Sequence, residues 1–243
     1  MEYHFETLGD GIEVAVSESH RFGTDAFLLA DFARPGKRDR MVDFGTGCGI
    51  IPLLCRYRFG TGEIHGIEIQ KEGADLFAAG IEKSGAEGIY AHHADLKNVR
   101  ELFSNPAFDV VTCNPPYKKA GAGILSENTP EAIARHELSC TLDDVCQAAA
   151  WLLKFGGRLC ICQRPERLAD AMESMRRAGI EPKRLRLVSR RPETAPWLFL
   201  LEGRKGGGRF LTVEPQFYVQ NEAGEFSDGL LEIYQKRERK QSK

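Results

Sequence analysis

The chain has 243 residues, 28% of them charged and 42% hydrophobic, and a formal net charge of −2. That length suits one large α/β domain or two small ones around a substantial core. The balanced charge excludes a global basic field, so any nucleic-acid partner has to be held by a local patch.

In chain order, "YHFETLGDGIEVAVSE" alternates on both sides of Gly9-Asp10-Gly11 and predicts a β-hairpin. "RFGTDAFLLADFARPG" predicts a short amphipathic helix with Thr24 or Asp25 as its cap and Pro35-Gly36 at its end. From residue 41 strands and helices alternate. Strands are expected at "MVDF", "EIHGIEI", "IYAHH", "FDVVTC" and "GGRLCIC", and helices near 50–58, 72–84, 97–104, 142–154 and 166–178. This alternation implies parallel βαβ units in a doubly wound sheet covered on both faces. The last third, with "KRLRLVSRR", "PWLFLLEG" and "RFLTVEPQFYV", is β-rich and should finish the sheet with an antiparallel edge. No repeat, low-complexity tract or linker divides residues 1–235. They are expected to form a single α/β domain in which residues 1–38 precede the core, and "KRERKQSK" (236–243) is expected to be a mobile basic tail. The longest irregular stretch, residues 117–141, has the length of a functional loop.

The seven cysteines lie at 48, 55, 113, 140, 146, 160 and 162, without a C-x-x-C pair and mostly in apolar stretches. They suit small buried hydrophobes in a reducing compartment. His65, His92 and His93 lack thiolate or carboxylate partners at a metal-site spacing, so no metal is expected. No signal peptide opens the chain, and no apolar run is long enough to span a bilayer. A soluble, cytoplasmic protein without a membrane partner is expected. The sequence carries no signal for oligomeric state.

The chemistry concentrates at the carboxyl ends of the predicted strands. "DFGTGCGII" joins the first sheet strand to a helix. Gly45, Gly47 and Gly49 let the backbone turn tightly and approach a ligand, and the helix N-terminus offers unpaired amides. The dinucleotide fingerprint needs glycine where Ile50 stands, and the Walker ending is absent. Asp43, Glu68 and Asp95 close three successive strands beside this loop. A carboxylate in the Glu68 position suits ribose hydroxyls. The fourth strand ends in "NPPY", where two prolines forbid any continued ladder or helix.

The order "VDFGTGCG", "GIEI", "ADL", "NPPY" resembles the class I S-adenosylmethionine-dependent methyltransferases over residues 20 to 203. The resemblance implies a Rossmann-like, mostly parallel seven-stranded sheet with S-adenosylmethionine as cofactor. It implies a cofactor set of Thr24, Asp43, Phe44, Gly45, Thr46, Gly47, Gly49, Glu68, Ile69, Asp95, Leu96 and Asn114. In that set Gly45–Gly49 wrap the methionine part and Glu68 takes the ribose. Asp95 accepts from the adenine amino group beside the Leu96 amide, and Asp43 sits near the sulfonium. "NPPY" resembles the signature of enzymes that methylate a planar nitrogen. Such a nitrogen is a poor nucleophile, and two acceptors aimed at its N–H bonds favour its pyramidal form. Asn114 Oδ1 and the Pro115 carbonyl are the candidate acceptors, and Tyr117 offers a face to the planar substrate.

"SHRFGTDAFLLADFA", "ARHE" and "DGLLEIY" extend the similarity to bacterial tRNA adenine methyltransferases that act on the 6-amino group beside the anticodon of a valine tRNA. This implies that Thr24 and Asp25 help close the cofactor pocket and that Arg135 and His136 lie over the substrate. Relatives often carry Asn where this chain has Gly85, a departure that touches helix termination. Glutamine or guanine amino methylation stays open as an alternative, as does a noncatalytic RNA- or protein-binding module. Only about forty residues precede the glycine loop, which counts against the glutamine enzymes and their helical substrate domain. The expected RNA partner, a tRNA, would need a basic stripe such as "RRAGIEPKRLRLVSRRPE" and "GRKGGGR".

Overall fold

The computed structural model describes residues 2–9, 11–115 and 140–235. β1 (His4–Thr7) and β2 (Glu13–Val16) form the antiparallel hairpin, His4 opposite Val16. α1 (Thr24–Ala33) follows, and its caps differ from expectation. Gly23 is the N-cap and no side chain caps it. The Thr24 hydroxyl pairs instead with Tyr234 Oη at 3.0 Å, and Asp25 reaches Asn114. The helix is also buried on most of its surface, so it is less amphipathic than its sequence suggests.

The alternating core comprises β3 (Arg40–Phe44), α2 (Ile50–Phe59), β4 (Glu63–Glu68), α3 (Lys71–Ser84), β5 (Ile89–His93), α4 (Val99–Leu102) and β6 (Phe108–Cys113). It continues with α5 (Leu142–Leu152), β7 (Leu153–Gln163), α6 (Leu168–Arg177), β8 (Ile180–Ser189) and β9 (Pro196–Lys205). β10 (Thr212–Val213), β11 (Phe217–Tyr218) and α7 (Asp228–Gln235) close the described chain. Gly85 ends α3 in the left-handed region, at φ 60°, the role expected of it. The helix expected at 97–104 is a 3₁₀ turn (Leu96–Asn98) and the single turn of α4. β7 begins three residues before Gly156, because Leu153 pairs with Phe108 ahead of a register shift.

The sheet runs β10-β8-β9-β7-β6-β3-β4-β5, with β11 also paired to β8. β3 to β7 are parallel, and β9 lies antiparallel to both β7 and β8. The seven long strands are the expected sheet with its antiparallel edge. The two-residue strands β10 and β11 extend it, both parallel to β8. Side chains alternate between two cores, as period-2 geometry requires. Met41, Cys160 and Cys162 face α1, α2 and α3, while Val42, Phe44, Leu159 and Ile161 face α5 and α6. Strand order reverses at β3, between β4 and β6, which opens a crevice at the carboxyl edge.

Candidate active site

A cleft of about 340 Å³ occupies that crevice. Its floor is the loop after β3. Gly45 and Thr46 donate to the Ile67 carbonyl at 2.9 and 3.2 Å, so the loop is pinned to β4. Gly49 starts α2 at φ 80°, and a Cβ there would lie 1.8 Å from the Phe77 ring. Only glycine accepts both that conformation and that approach.

Glu68 ends β4, is 6% exposed and lines the cleft. Its Oε2 accepts from Gly47 N and its Oε1 from Gln70 N, both at 2.8 Å. Each oxygen keeps a second acceptor site. The carboxylate therefore braces the glycine loop and the start of α3 while facing the cleft. Asp95 lines the far side with Leu96, and its Oδ1 caps the 3₁₀ turn by accepting from Lys97 N at 2.9 Å. Phe44, Gly45, Ile69, Asn114 and Pro115 also line the cleft.

Of the expected cofactor residues, Thr24, Asp43, Thr46, Gly47 and Gly49 do not line the cleft. Asp43 is 1% exposed behind the glycine loop, and its Oδ1 accepts from Thr112 Oγ1 at 2.5 Å. Burial pushes its carboxyl up to about 7, against the lowering effect of Thr112. Thr24 lines a neighbouring pocket, not the cleft. Thr46 is buried, and Gly47 acts through its backbone N–H. Tyr117, Arg135, His136 and the 236–243 tail lie outside the described residues.

Asn114 is held from two sides. Its Nδ2 donates to Asp25 Oδ2 at 3.0 Å, and its Oδ1 accepts from the buried Cys162 thiol at 3.0 Å. The described cysteines are all free thiols, six of the seven buried. Burial raises Cys48 and Cys146 to about 12 and Cys140 to about 11, which keeps them protonated. Among the described residues, no group of three or more His, Cys, Asp or Glu is placed to hold a metal ion.

Sequence reasoning missed one wall of the cleft, formed by Ser19, His20 and Arg21. This segment folds over α3 because Ser17 and Ser19 both donate to Glu72 Oε1, at 2.7 and 2.8 Å. The segment belongs to "SHRFGTDAFLLADFA", a stretch that carries the resemblance, but its serines read locally as loop and nothing in them points to the cleft. Cys140 and Val145 complete the opposite wall, where a reciprocal Thr141–Asp144 capping box starts α5. The basic stripe needs correction as well. Arg184 pairs with Glu202 and Glu214 at 3.0 and 3.3 Å, and Arg186 pairs with Glu214 at 2.5 Å. Both guanidinium groups are engaged by carboxylates.

This arrangement has the shape of a methyltransferase. A predicted O-methyltransferase from Agrobacterium tumefaciens superposes with TM-score 0.71 at 20% identity, covering 86% of this chain and 95% of its own. A geranyl diphosphate methyltransferase in complex with SAM gives TM-score 0.55 at 15% identity, covering 74% and 84%. The methyltransferase small domain family model matches residues 20–177. The chain belongs to that family and is an S-adenosylmethionine-dependent methyltransferase. A curated relative from Porphyromonas gingivalis is named tRNA1(Val) (adenine(37)-N6)-methyltransferase. It is 29% identical over 76% of this chain and 74% of its own length.

Proposed function

We propose that this chain transfers a methyl group from S-adenosylmethionine to the exocyclic 6-amino group of an adenine in the anticodon loop of a valine tRNA. The observation that carries the reading is that Asn114 and Pro115 line the same cleft as Glu68 and Asp95. The cleft suits the cofactor chemically: Glu68 offers acceptors for ribose hydroxyls, Asp95 and Leu96 offer an edge for adenine, and Arg21 offers a cation for a carboxylate. When bound, S-adenosylmethionine supplies an electrophilic methyl group on a cationic sulfur.

The protein's part is to prepare the nucleophile. Asn114 Oδ1 has the two lone pairs of an amide oxygen; it accepts from Cys162, and a substrate N–H approaches it from the cleft. With the Pro115 carbonyl it draws the amino group toward a pyramidal form and offsets the charge that develops on nitrogen. The nitrogen lone pair would form the new N–C bond as the methyl–sulfur bond breaks and leaves a neutral thioether, and the amino proton would then pass to water, so no tuned general base is required. The relative's name supports adenine and tRNA over the glutamine and guanine alternatives.

The test is nucleoside mass spectrometry of tRNA from a deletion strain, before and after adding the enzyme and cofactor. N6-methyladenosine should be missing from the valine tRNA and return on addition. Methylation of guanine, or of a release-factor glutamine with tRNA untouched, would replace this reading with an alternative.

A further inference from the structure

Asn114 stands between two concavities. One is the cleft described above. The other, about 420 Å³, is lined by Gly23, Thr24, Asp25, Arg190, Trp197 and Val219. They meet where Asp25 Oδ2 accepts from Asn114 Nδ2. In the second concavity Trp197 is the second residue of β9, near the end of β7, and Arg190 directly follows β8.

The geometry points to a nucleotide subsite: the RNA base next to the methylated one enters this pocket, against the Trp197 indole, with its phosphate at Arg190. The inference rests on the RNA reading given above and says which residues grip the strand. The volume falls in the range of roughly 300–1,000 Å³ typical of small-ligand sites. Trp197 is half-buried, and its backbone carbonyl accepts from Arg164 Nη1 at 3.1 Å. The Arg164 guanidinium lies 5.5 Å from the indole centroid. Arg190 is exposed and donates to Gln220 Oε1 at 3.1 Å; among the described residues it has no carboxylate partner, unlike Arg184 and Arg186. An aromatic face beside an unneutralised cation is how proteins hold single-stranded nucleic acid. Asn114 and Pro115 line the first cleft and not this pocket, so the reacting base belongs there and its neighbour here.

The chain has two tryptophans. Trp151, on α5, has its Nε1 buried without a hydrogen-bond partner among the described residues, so Trp151→Phe removes a donor unpaired there and leaves Trp197 as the sole tryptophan reporter. An unmethylated anticodon stem-loop RNA should quench the fluorescence of Trp151→Phe saturably. Trp197→Ala should weaken binding of the same RNA by roughly 5- to 150-fold, the range for losing one stacked base. Trp197→Phe should recover most of that loss, and calorimetric S-adenosylmethionine affinity should hold in both. Arg190→Gln should reduce the salt slope by about one. If the parent methylates tRNA adenine but Trp197 emission ignores the RNA and Trp197→Ala binds like the parent, the subsite is wrong and the reaction stands. Should Trp197→Ala fail to fold, the quenching and Trp197→Phe arms decide. A parent that methylates no RNA adenine overturns both readings.

Discussion

Asp25 fixes the orientation of the Asn114 amide across 89 residues of chain, its Oδ2 accepting from Asn114 Nδ2 at 3.0 Å. A carboxylate only accepts, so the NH₂ group must face it, and Oδ1 is turned to the opposite side. There it meets the Cys162 thiol and stands at the cleft wall. Asp25 is itself anchored, its Oδ1 accepting from Ala26 N at 3.0 Å. The contact explains why α1 precedes the core in sequence yet bears on the site.

Asn114→Ala should slow single-turnover methylation of saturating RNA by about 10²–10³, the loss seen for other preorganised polar groups. Cofactor affinity should hardly change. Asp25→Ala should slow the same step by about tenfold, and Asp25→Asn, which can still accept from Nδ2, should recover much of it. An Asn114→Ala enzyme working at the parental rate would refute the planar-nitrogen mechanism. Equal losses in Asp25→Ala and Asp25→Asn would show that Asp25 acts by charge rather than by orientation.

Glu68 carries two duties, so its removal should have two readouts. Glu68→Ala orphans the Gly47 and Gln70 amides, at about 1–3 kcal/mol for a buried unsatisfied group. Chemical denaturation of the apo protein should show a loss of that order. Calorimetric S-adenosylmethionine affinity should fall roughly tenfold or more. Lost stability with unchanged affinity would leave Glu68 as a brace only and move the ribose elsewhere.

The glycine loop, the three strand-end acids and "NPPY" were legible because each is a local pattern at the end of an apolar run. The alternation of strands and helices implied the parallel, doubly wound sheet. What could not be read depends on contacts remote in sequence. Asp43 and Glu68 look alike as acids closing adjacent strands. Yet Glu68 faces the cleft and Asp43 turns to Thr112, its register partner on β6. Thr24 looked like a cap until Tyr234 of α7 packed beside it. The arginines of β8 looked like a basic stripe because their carboxylate partners, Glu202 and Glu214, come from later segments.

Asp43 gives a pH prediction. Its folded pKa is about 7, above the ordinary 3.8. The folded state thus holds the proton to higher pH than the unfolded chain, and this group's favourable contribution is lost as pH rises from about 4 through 7. Asp43→Asn keeps a partner for Thr112 without a buried charge. The apo variant should match or exceed the parent in stability at pH 8, with a flatter profile between pH 4 and 7. Lower stability at pH 8 would mean that the charge is compensated.

A second cluster acts in the opposite direction. Arg40 and His65 hold the Glu63 carboxyl down at about 2, and burial lowers both His65 and His92, which are bonded to each other at 2.8 Å. The histidines contribute stability that is lost as pH falls below their ordinary 6.5, because the unfolded chain takes up protons first. Glu63 contributes above 4.5 and loses that contribution as pH drops toward 2. Its carboxylate is partly exposed, so screening keeps this share small. With the opposing Asp43 contribution removed, in Asp43→Asn, the urea midpoint should decline from pH 7 to 5. His65 is packed between Tyr90, Phe103 and Phe108, and His65→Phe should shallow the decline. An unchanged slope would place the acid sensitivity elsewhere.

The arginines of β8 and its following loop should divide into two functional pairs. Arg184 donates to Glu202 and to the Phe32 carbonyl, with its guanidinium 4.1 Å from the Phe32 ring centroid, and Arg186 grips Glu214. Removing both leaves the half-buried Glu214 without these two partners. Arg184→Ala with Arg186→Ala should therefore destabilise the protein by about 1–3 kcal/mol while leaving the salt dependence of tRNA binding near the parental slope. Arg190 and Arg191 are exposed, and neutralising them together should flatten the slope by about two, one for each phosphate no longer neutralised. Fluorescence titrations at several salt concentrations, beside denaturation curves, separate the two effects. If the β8 pair changes the slope and the loop pair does not, the RNA reaches the sheet edge, and the carboxylates of Glu202 and Glu214 must release their arginines to receive it.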